Sequence, residues 1–301
     1  MLLHKNNELF EQLITAAAVE FNLPEAIVEK DYFVTLLLRR IAEKQPDIIF
    51  KGGTSLSKCY HIIDRFSEDI DLNVLCDSKP TEGQRRKLKE HIAEAIEELG
   101  FVLTNPDDIR SRRDFNRYVV DYSSQYKSDY LNKNLIVETS VFIRAYPCNR
   151  VKASCFINDY LRNHNHTDVI SEYGLDEFEL NVQTIERTFI DKVFAVCDYY
   201  LDGAPDKHSR HIYDLHQMMP GISFNSDFKK LIAEVRADRQ PHKTCLSAQD
   251  GVNINTLLGE IAGRDFYRKD YESITIPLLF KTVDYQEAKK SITEIASLNL
   301  F

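Results

Sequence analysis

The sequence has no apolar run approaching the roughly 20 residues of a membrane-spanning helix. Residues 1–9 carry His, Lys, Asn and Glu and lack the apolar core of a signal peptide. The expectation is therefore a cytoplasmic protein with no membrane partner. Cysteine is sparse: the six residues at 59, 76, 148, 155, 197 and 245 form no Cys-x-x-Cys pair. Such scattered cysteines read as reduced packing residues, not as disulfides or zinc ligands. His164 and His166 have no third ligand at helical or loop spacing, so that stretch reads as a loop. Internal repeats, low-complexity tracts and Pro/Gly-rich linkers are missing as well. So is any excess of basic charge: 38 Lys and Arg against 47 Asp and Glu give a net charge of −9. That argues against a general nucleic-acid coat, although an acidic protein can still carry one basic face. Hydrophobic and charged fractions of 43% and 28% are ordinary, and 301 residues can bury a core as one large domain or two.

Against this background one stretch organises the chain. Residues 47–50 are an apolar run that predicts a strand. Gly52-Gly53 breaks it, because glycine reaches backbone angles that other residues avoid. Thr54 and Ser55 are placed to cap a helix over about residues 55–63. A glycine turn feeding a helix start presents free backbone N–H groups to an anion. The chain then returns as a strand over residues 67–75. Side chains two apart on a strand share a face, so Asp69 and Asp71 point together while Ile70 and Leu72 enter apolar packing. Two carboxylates beside an anion-binding turn imply divalent metal and polyphosphate in one place.

Lys51-Gly52-Gly53-Thr54-Ser55-Leu56, a spacer, and Arg65-Phe66-Ser67-Glu68-Asp69-Ile70-Asp71-Leu72 together resemble the first motif of the DNA polymerase β-like nucleotidyltransferase superfamily. The wording is most similar to the AbiEii/AbiGii-type nucleotidyltransferase toxins. The resemblance is specific in four patches, 51–72, 135–141, 186–193 and 210–216. It implies an enzyme that uses a nucleoside triphosphate with Mg²⁺, or Mn²⁺ in its place. It also implies tRNA as the acceptor and a separately encoded antitoxin as a protein partner. On this pattern Asp69 and Asp71 hold the metal. Gly52, Gly53, Thr54 and Ser55 hold the β- and γ-phosphates, with Lys51 at the head of the turn. Ser67, two residues before Asp69, can reach phosphate or metal-bound water.

The remaining segments take their places around that motif. Helical spacing marks residues 6–21 and 25–43, with Pro24 in the first turn of the second helix. Within that second helix Glu29-Lys30-Asp31 reads as a solvated edge. The toxin family carries a similar Glu-Lys-Asp there, which leaves open a supporting role near the site. A polar turn at 76–81 leads to an amphipathic helix over 82–99, ended by Gly100, and a short strand at 101–103. Arg110, Arg112, Arg113 and Arg117 form the densest basic patch, read either as a solvated loop or as a site for RNA or nucleotide phosphate. Strands are predicted at 117–123 and 135–143 with a turn at 125–134. Glu138 is a single acid in a β-branched run, a poor choice for a buried strand unless something pairs it. If this strand lies beside that of Asp69 and Asp71, Glu138 is a third metal-facing carboxylate, as the superfamily has. Residues 183–201 predict a helix. By resemblance its Glu186-Arg187-Thr188-Phe189-Ile190-Asp191-Lys192 carries the family's active-site lysine, Lys192, which would offset charge on the leaving pyrophosphate. Arg210 and Asp214, four apart, resemble the last family motif; unaided, they read as a surface ion pair. Asp214 could orient Lys192 or Arg210, or take the acceptor proton. Lys207 and His208 add positive charge beside them. Helix-period sets recur to the C-terminus.

The expected class is α+β: a small mixed nucleotidyltransferase sheet flanked by helices over residues 1–150, then a mainly helical domain over 151–301 supplying the Lys and Asp motifs to the cleft. The expected function is transfer of a nucleoside monophosphate from a triphosphate to an acceptor hydroxyl by the toxin of a toxin–antitoxin pair. The rivals are nucleotidylation of a protein or small molecule, and a catalytically idle nucleotide-binding protein.

Overall fold

The computed structural model describes residues 1–76, 79–126 and 131–301, so part of each turn expected at 76–81 and 125–134 lies outside the described residues. The chain divides into two compact units, one of residues 1–60 and 67–183, the other of residues 61–66 and 184–301.

The first unit is built on a mixed seven-stranded sheet. Its strands are β1 (Ile48–Lys51), β2 (Asp69–Val74), β3 (Val102–Leu103), β4 (Phe115–Asp121), β5 (Leu135–Ser140), β6 (Cys148–Ala153) and β7 (Phe178–Gln183). Their order is β3-β4-β5-β2-β1-β7-β6. The strand β1 is antiparallel to β2, whereas β2 and β5 run parallel, as do β1 and β7. Helices α1 (Asn7–Phe21), α2 (Glu25–Lys44), α3 (Gly52–Lys58), α4 (Glu82–Glu98), α5 (Phe156–Asn163) and α6 (Thr167–Tyr173) complete the unit. Local chemistry sets their ends. Asn6 accepts from the Leu9 N–H at the start of α1. Thr81 and Gln84 form a reciprocal capping box on α4.

The start of strand β2 follows the expected alternation. Ile70 and Leu72 are buried, with Asp69 and Asp71 half-buried on the other face. The region beyond residue 146, whose periodicity is mixed, holds the two strands that extend the sheet on the β1 side. The sheet unit therefore runs to Gln183. A six-residue strand such as Phe178–Gln183 is too short for its alternation to stand out against the helix that follows.

The second unit is helical: α7 (Ile185–Leu201), α8 (Arg210–Met218), α9 (Ser226–Arg239), α10 (Ile254–Gly263), α11 (Arg268–Asp270) and α12 (Tyr285–Leu298). Thr184 caps α7 by accepting from the Arg187 N–H. Residues 61–66 belong to this unit, and Arg65 makes a bridge to Leu279 within it.

All six cysteines are free, four of them buried. No helix among the described residues is long and apolar enough to cross a membrane.

Leu37 is fully buried in α2 and belongs to the sheet unit's core. Leu37→Ala is expected to cost about 2–5 kcal/mol, the range for a buried leucine whose cavity does not collapse. Urea denaturation measures it; a loss below about 1 kcal/mol would mean that α2 is not a core helix.

Candidate active site

The glycine pair does not form a turn ahead of a helix; it is the first turn of α3, which begins at Gly52. Thr54 and Ser55 therefore do not cap it. The N-cap is Lys51, without a side-chain cap bond. The Ser55 hydroxyl donates to the Gly52 carbonyl at 2.9 Å. The Thr54 and Ser67 hydroxyls are 2.8 Å apart, which ties the helix start to the residue two before Asp69. The N–H groups of a first helical turn have no intrahelical acceptor, so the expected anion-binding donors survive this change. Gly52 is required twice over. Its φ is +80°, and a Cβ there would sit 2.2 Å from Asp71 Oδ2. Only glycine lets the carboxylate lie against the backbone in this way.

Strand register brings four charged residues into one row. Lys51 on β1 is opposite Asp71 on β2, Asp71 is opposite Glu138 on β5, and Glu138 is opposite Arg117 on β4. Residues paired across neighbouring strands share a face. The row thus reads cation, anion, anion, cation, with Asp69 two residues along β2 on the same face. Arg117 Nε lies 3.6 Å from Glu138 Oε1. Burial, then Asp71 and Asp69, push the Glu138 carboxyl up to about 7.

Among the described residues no three His, Cys, Asp or Glu side chains are gathered closely enough to form a metal cluster. Asp71 leans on Gly52 and Glu138 toward Arg117. The donors nonetheless suit a hard divalent cation: all are carboxylate oxygens on one sheet face, and Asp69 and Asp71 both oppose ionisation of Glu138. A cation among them would relieve that repulsion.

In the helical unit Asp214 is not part of a surface ion pair. It is fully buried, and its carboxylate accepts from Arg65 Nε at 2.6 Å, Arg65 Nη2 at 2.7 Å and Lys192 Nζ at 2.6 Å. Burial opposes its ionisation, but the two cations hold the carboxyl far below the usual range. An acid so held is a poor proton acceptor. Of the roles open to it, orienting Lys192 fits and taking a proton does not. Arg65 is the partner that the spacing of Arg210 and Asp214 does not reveal. His208 stacks on Tyr199, with centroids 3.3 Å apart. Burial lowers its pKa, which weakens the expectation of positive charge there.

The expected solvated edge Glu29-Lys30-Asp31 is wrong: all three side chains are buried. The basic loop fares differently. Arg112 is exposed and 3.2 Å from Glu82, and Arg113 donates to the Asp108 carbonyl. Only Arg117 of the four stands in the charged row.

A glycine-started helix lies against an Asp-x-Asp strand, with a third acid on the parallel neighbour. The family model "Nucleotidyl transferase AbiEii toxin, Type IV TA system" matches residues 36–295. The chain belongs to this family and is a nucleotidyltransferase of a type IV toxin–antitoxin system. The family implies a nucleoside triphosphate substrate and an antitoxin partner. No curated protein matches the chain. Among solved structures, MenT4, a nucleotidyltransferase toxin from Mycobacterium tuberculosis H37Rv, is similar in fold. Its TM-score is 0.60 at 16% identity, over 95% of this chain and 89% of that one. JHP933 from Helicobacter pylori aligns at a TM-score of 0.47 and 19% identity, over 90% and 92%.

Two outcomes are expected. Asp214→Asn leaves Arg65 and Lys192 buried without their shared counter-charge and should cost about 3–5 kcal/mol at pH 7. Because the Asp214 pKa is depressed on folding, its contribution is present above the unfolded carboxyl value. The gap between variant and native protein should narrow as denaturation is repeated at falling pH. Glu138 has the opposite sign. Its folded pKa is raised from 4.5 to about 7, so the metal-free protein loses stability across that window as pH rises. Glu138→Gln should become progressively more stable than the native protein over the same window, and a pH-independent difference would contradict the placement of Glu138 beside Asp71.

Proposed function

We propose that the protein transfers a nucleoside monophosphate from a triphosphate to a hydroxyl of an RNA acceptor, of which tRNA is the class the family resemblance implies. The observation that carries the reading is the charged row of Lys51, Asp71, Glu138 and Arg117 beside the start of α3. In this reading Asp69, Asp71 and Glu138 hold Mg²⁺, with Mn²⁺ as a substitute. When bound, the cation supplies charge neutralisation and Lewis acidity at the phosphates and the attacking oxygen.

The chain's own groups do the rest. The backbone N–H groups at the start of α3, with the Thr54 and Ser67 hydroxyls, donate to the β- and γ-phosphate oxygens. Lys51 adds a positive charge at the head of the same turn. The acceptor oxygen forms its bond to the α-phosphorus as the bond to pyrophosphate breaks, an in-line displacement that needs positioning and electrostatics more than covalent help. Lys192 is assigned to the reaction on the family pattern, with Asp214 and Arg65 fixing its ammonium. Arg210 is carried over as a phosphate contact on the same pattern. Arg112 and Arg113, exposed a few residues before Arg117, supply the basic face for an RNA backbone.

The test is incubation with total tRNA, Mg²⁺ and each labelled nucleoside triphosphate in turn. Asp71→Ala should abolish label transfer to RNA while its circular dichroism matches that of the native protein; full transfer by the variant would sink the metal assignment. Label on protein in place of RNA would move the acceptor to a polypeptide. Arg112→Ala with Arg113→Ala should weaken RNA binding and lower the slope of log K against log salt by up to about 1–2. An unchanged slope would remove this loop from the acceptor surface.

A further inference from the structure

Lys30 is fully buried in α2. Its ammonium is 2.6 Å from Glu68 Oε2 and donates to the carbonyl oxygens of Asn132 and Asn134. The Glu68 carboxylate also accepts from the Asn132 N–H at 3.2 Å. Glu68 immediately precedes β2, and Asn134 immediately precedes β5. One buried cation thus joins the starts of the two parallel strands that carry Asp71 and Glu138. Its neighbours on the helix do the same for adjoining segments. Glu29 accepts from the Ser124 hydroxyl at 2.5 Å and the Gln125 N–H at 2.7 Å. Asp31 pairs with Lys58 at the end of α3 and accepts from the Phe156 N–H at the start of α5.

Parallel strands have no hairpin between them to fix their register, and β2 and β5 are far apart in sequence. A slip of one residue would turn Glu138 to the opposite face from Asp71 and end the shared carboxylate site. Apolar packing alone discriminates weakly here. Leu135, Ile136 and Val137 are all buried, so β5 presents no clean in–out alternation at its start. A buried ion pair with two extra carbonyl acceptors does discriminate, because a slipped register leaves a charge unpaired in the interior.

We propose that the Lys30–Glu68 pair is a positioning device for the reaction: it sets the β2/β5 register that places Asp69 and Asp71 beside Glu138.

The proposal rests on the reading of Asp69, Asp71 and Glu138 given above, and its test separates the two. Lys30→Met, Glu68→Gln and the pair Lys30→Met with Glu68→Leu are compared with the native protein and Asp71→Ala. The readouts are Mn²⁺ affinity by titration calorimetry, nucleotide transfer and melting temperature. The doubly apolar variant should melt near the native protein, since exchanging a buried ion pair for apolar groups of similar volume is often neutral. Its Mn²⁺ affinity and transfer should still fall about 10–100-fold, the usual loss when a group behind a metal ligand is removed. Glu68→Gln, a gentler change at a side chain with 18% exposure, should show the same loss of Mn²⁺ affinity. A doubly apolar variant that recovers affinity and transfer along with stability would overturn the proposal, as would a Glu68→Gln protein with native Mn²⁺ affinity. A native protein that binds Mn²⁺ no better than Asp71→Ala would overturn the underlying metal reading and this proposal together.

Discussion

Asp71 and Glu138 face one another on neighbouring parallel strands, and the candidate site proposed here depends on keeping those two like charges together. The fold manages this by placing a cation at each end of the row, Lys51 beside Asp71 and Arg117 beside Glu138. That arrangement softens the repulsion without cancelling it. Glu138 remains a carboxyl with a pKa of about 7, where burial and two aspartates outweigh Arg117 and Lys51. The glycine at 52 belongs to the same constraint. A side chain there would collide with Asp71, so the sharp start of α3 and the position of the carboxylate are one structural decision.

Buried charge is used repeatedly in this protein, and in each case several partners share it. Lys30 has Glu68 and two carbonyls, Lys58 has Asp31 with Thr35 and Ser154, and Asp214 has Arg65 and Lys192. An interior ion pair is seldom a net gain over apolar packing, because desolvation costs about as much as attraction returns. Its value lies in geometry, since alternatives that leave any member unpaired are excluded. Three successive charged residues on α2 point roughly 100° apart and all find partners. That helix is therefore enclosed on well over half of its circumference at this level, which explains how a polar tripeptide can be interior.

Much of the candidate site was legible along the sequence, because its parts are local. The glycine pair, the Asp-x-Asp alternation between Ile70 and Leu72, and the lone acid in a β-branched run each report a residue type set against its immediate neighbours. The helices of the C-terminal unit and the free state of the cysteines follow from equally local signals. What tertiary structure alone decided is partnership. No spacing rule connects Arg65 to Asp214 across 149 positions, or Lys30 to Glu68, and the i,i+4 rule pointed instead to Arg210. The parallel register of β2 with β5 is decided at the same level, since strands joined by a long crossover carry no turn that records their alignment. The sequence determined which residues were chemically equipped to act. Only the folded chain could decide which charges would be buried together, because the cost of an unpaired interior charge exists only once water has been excluded.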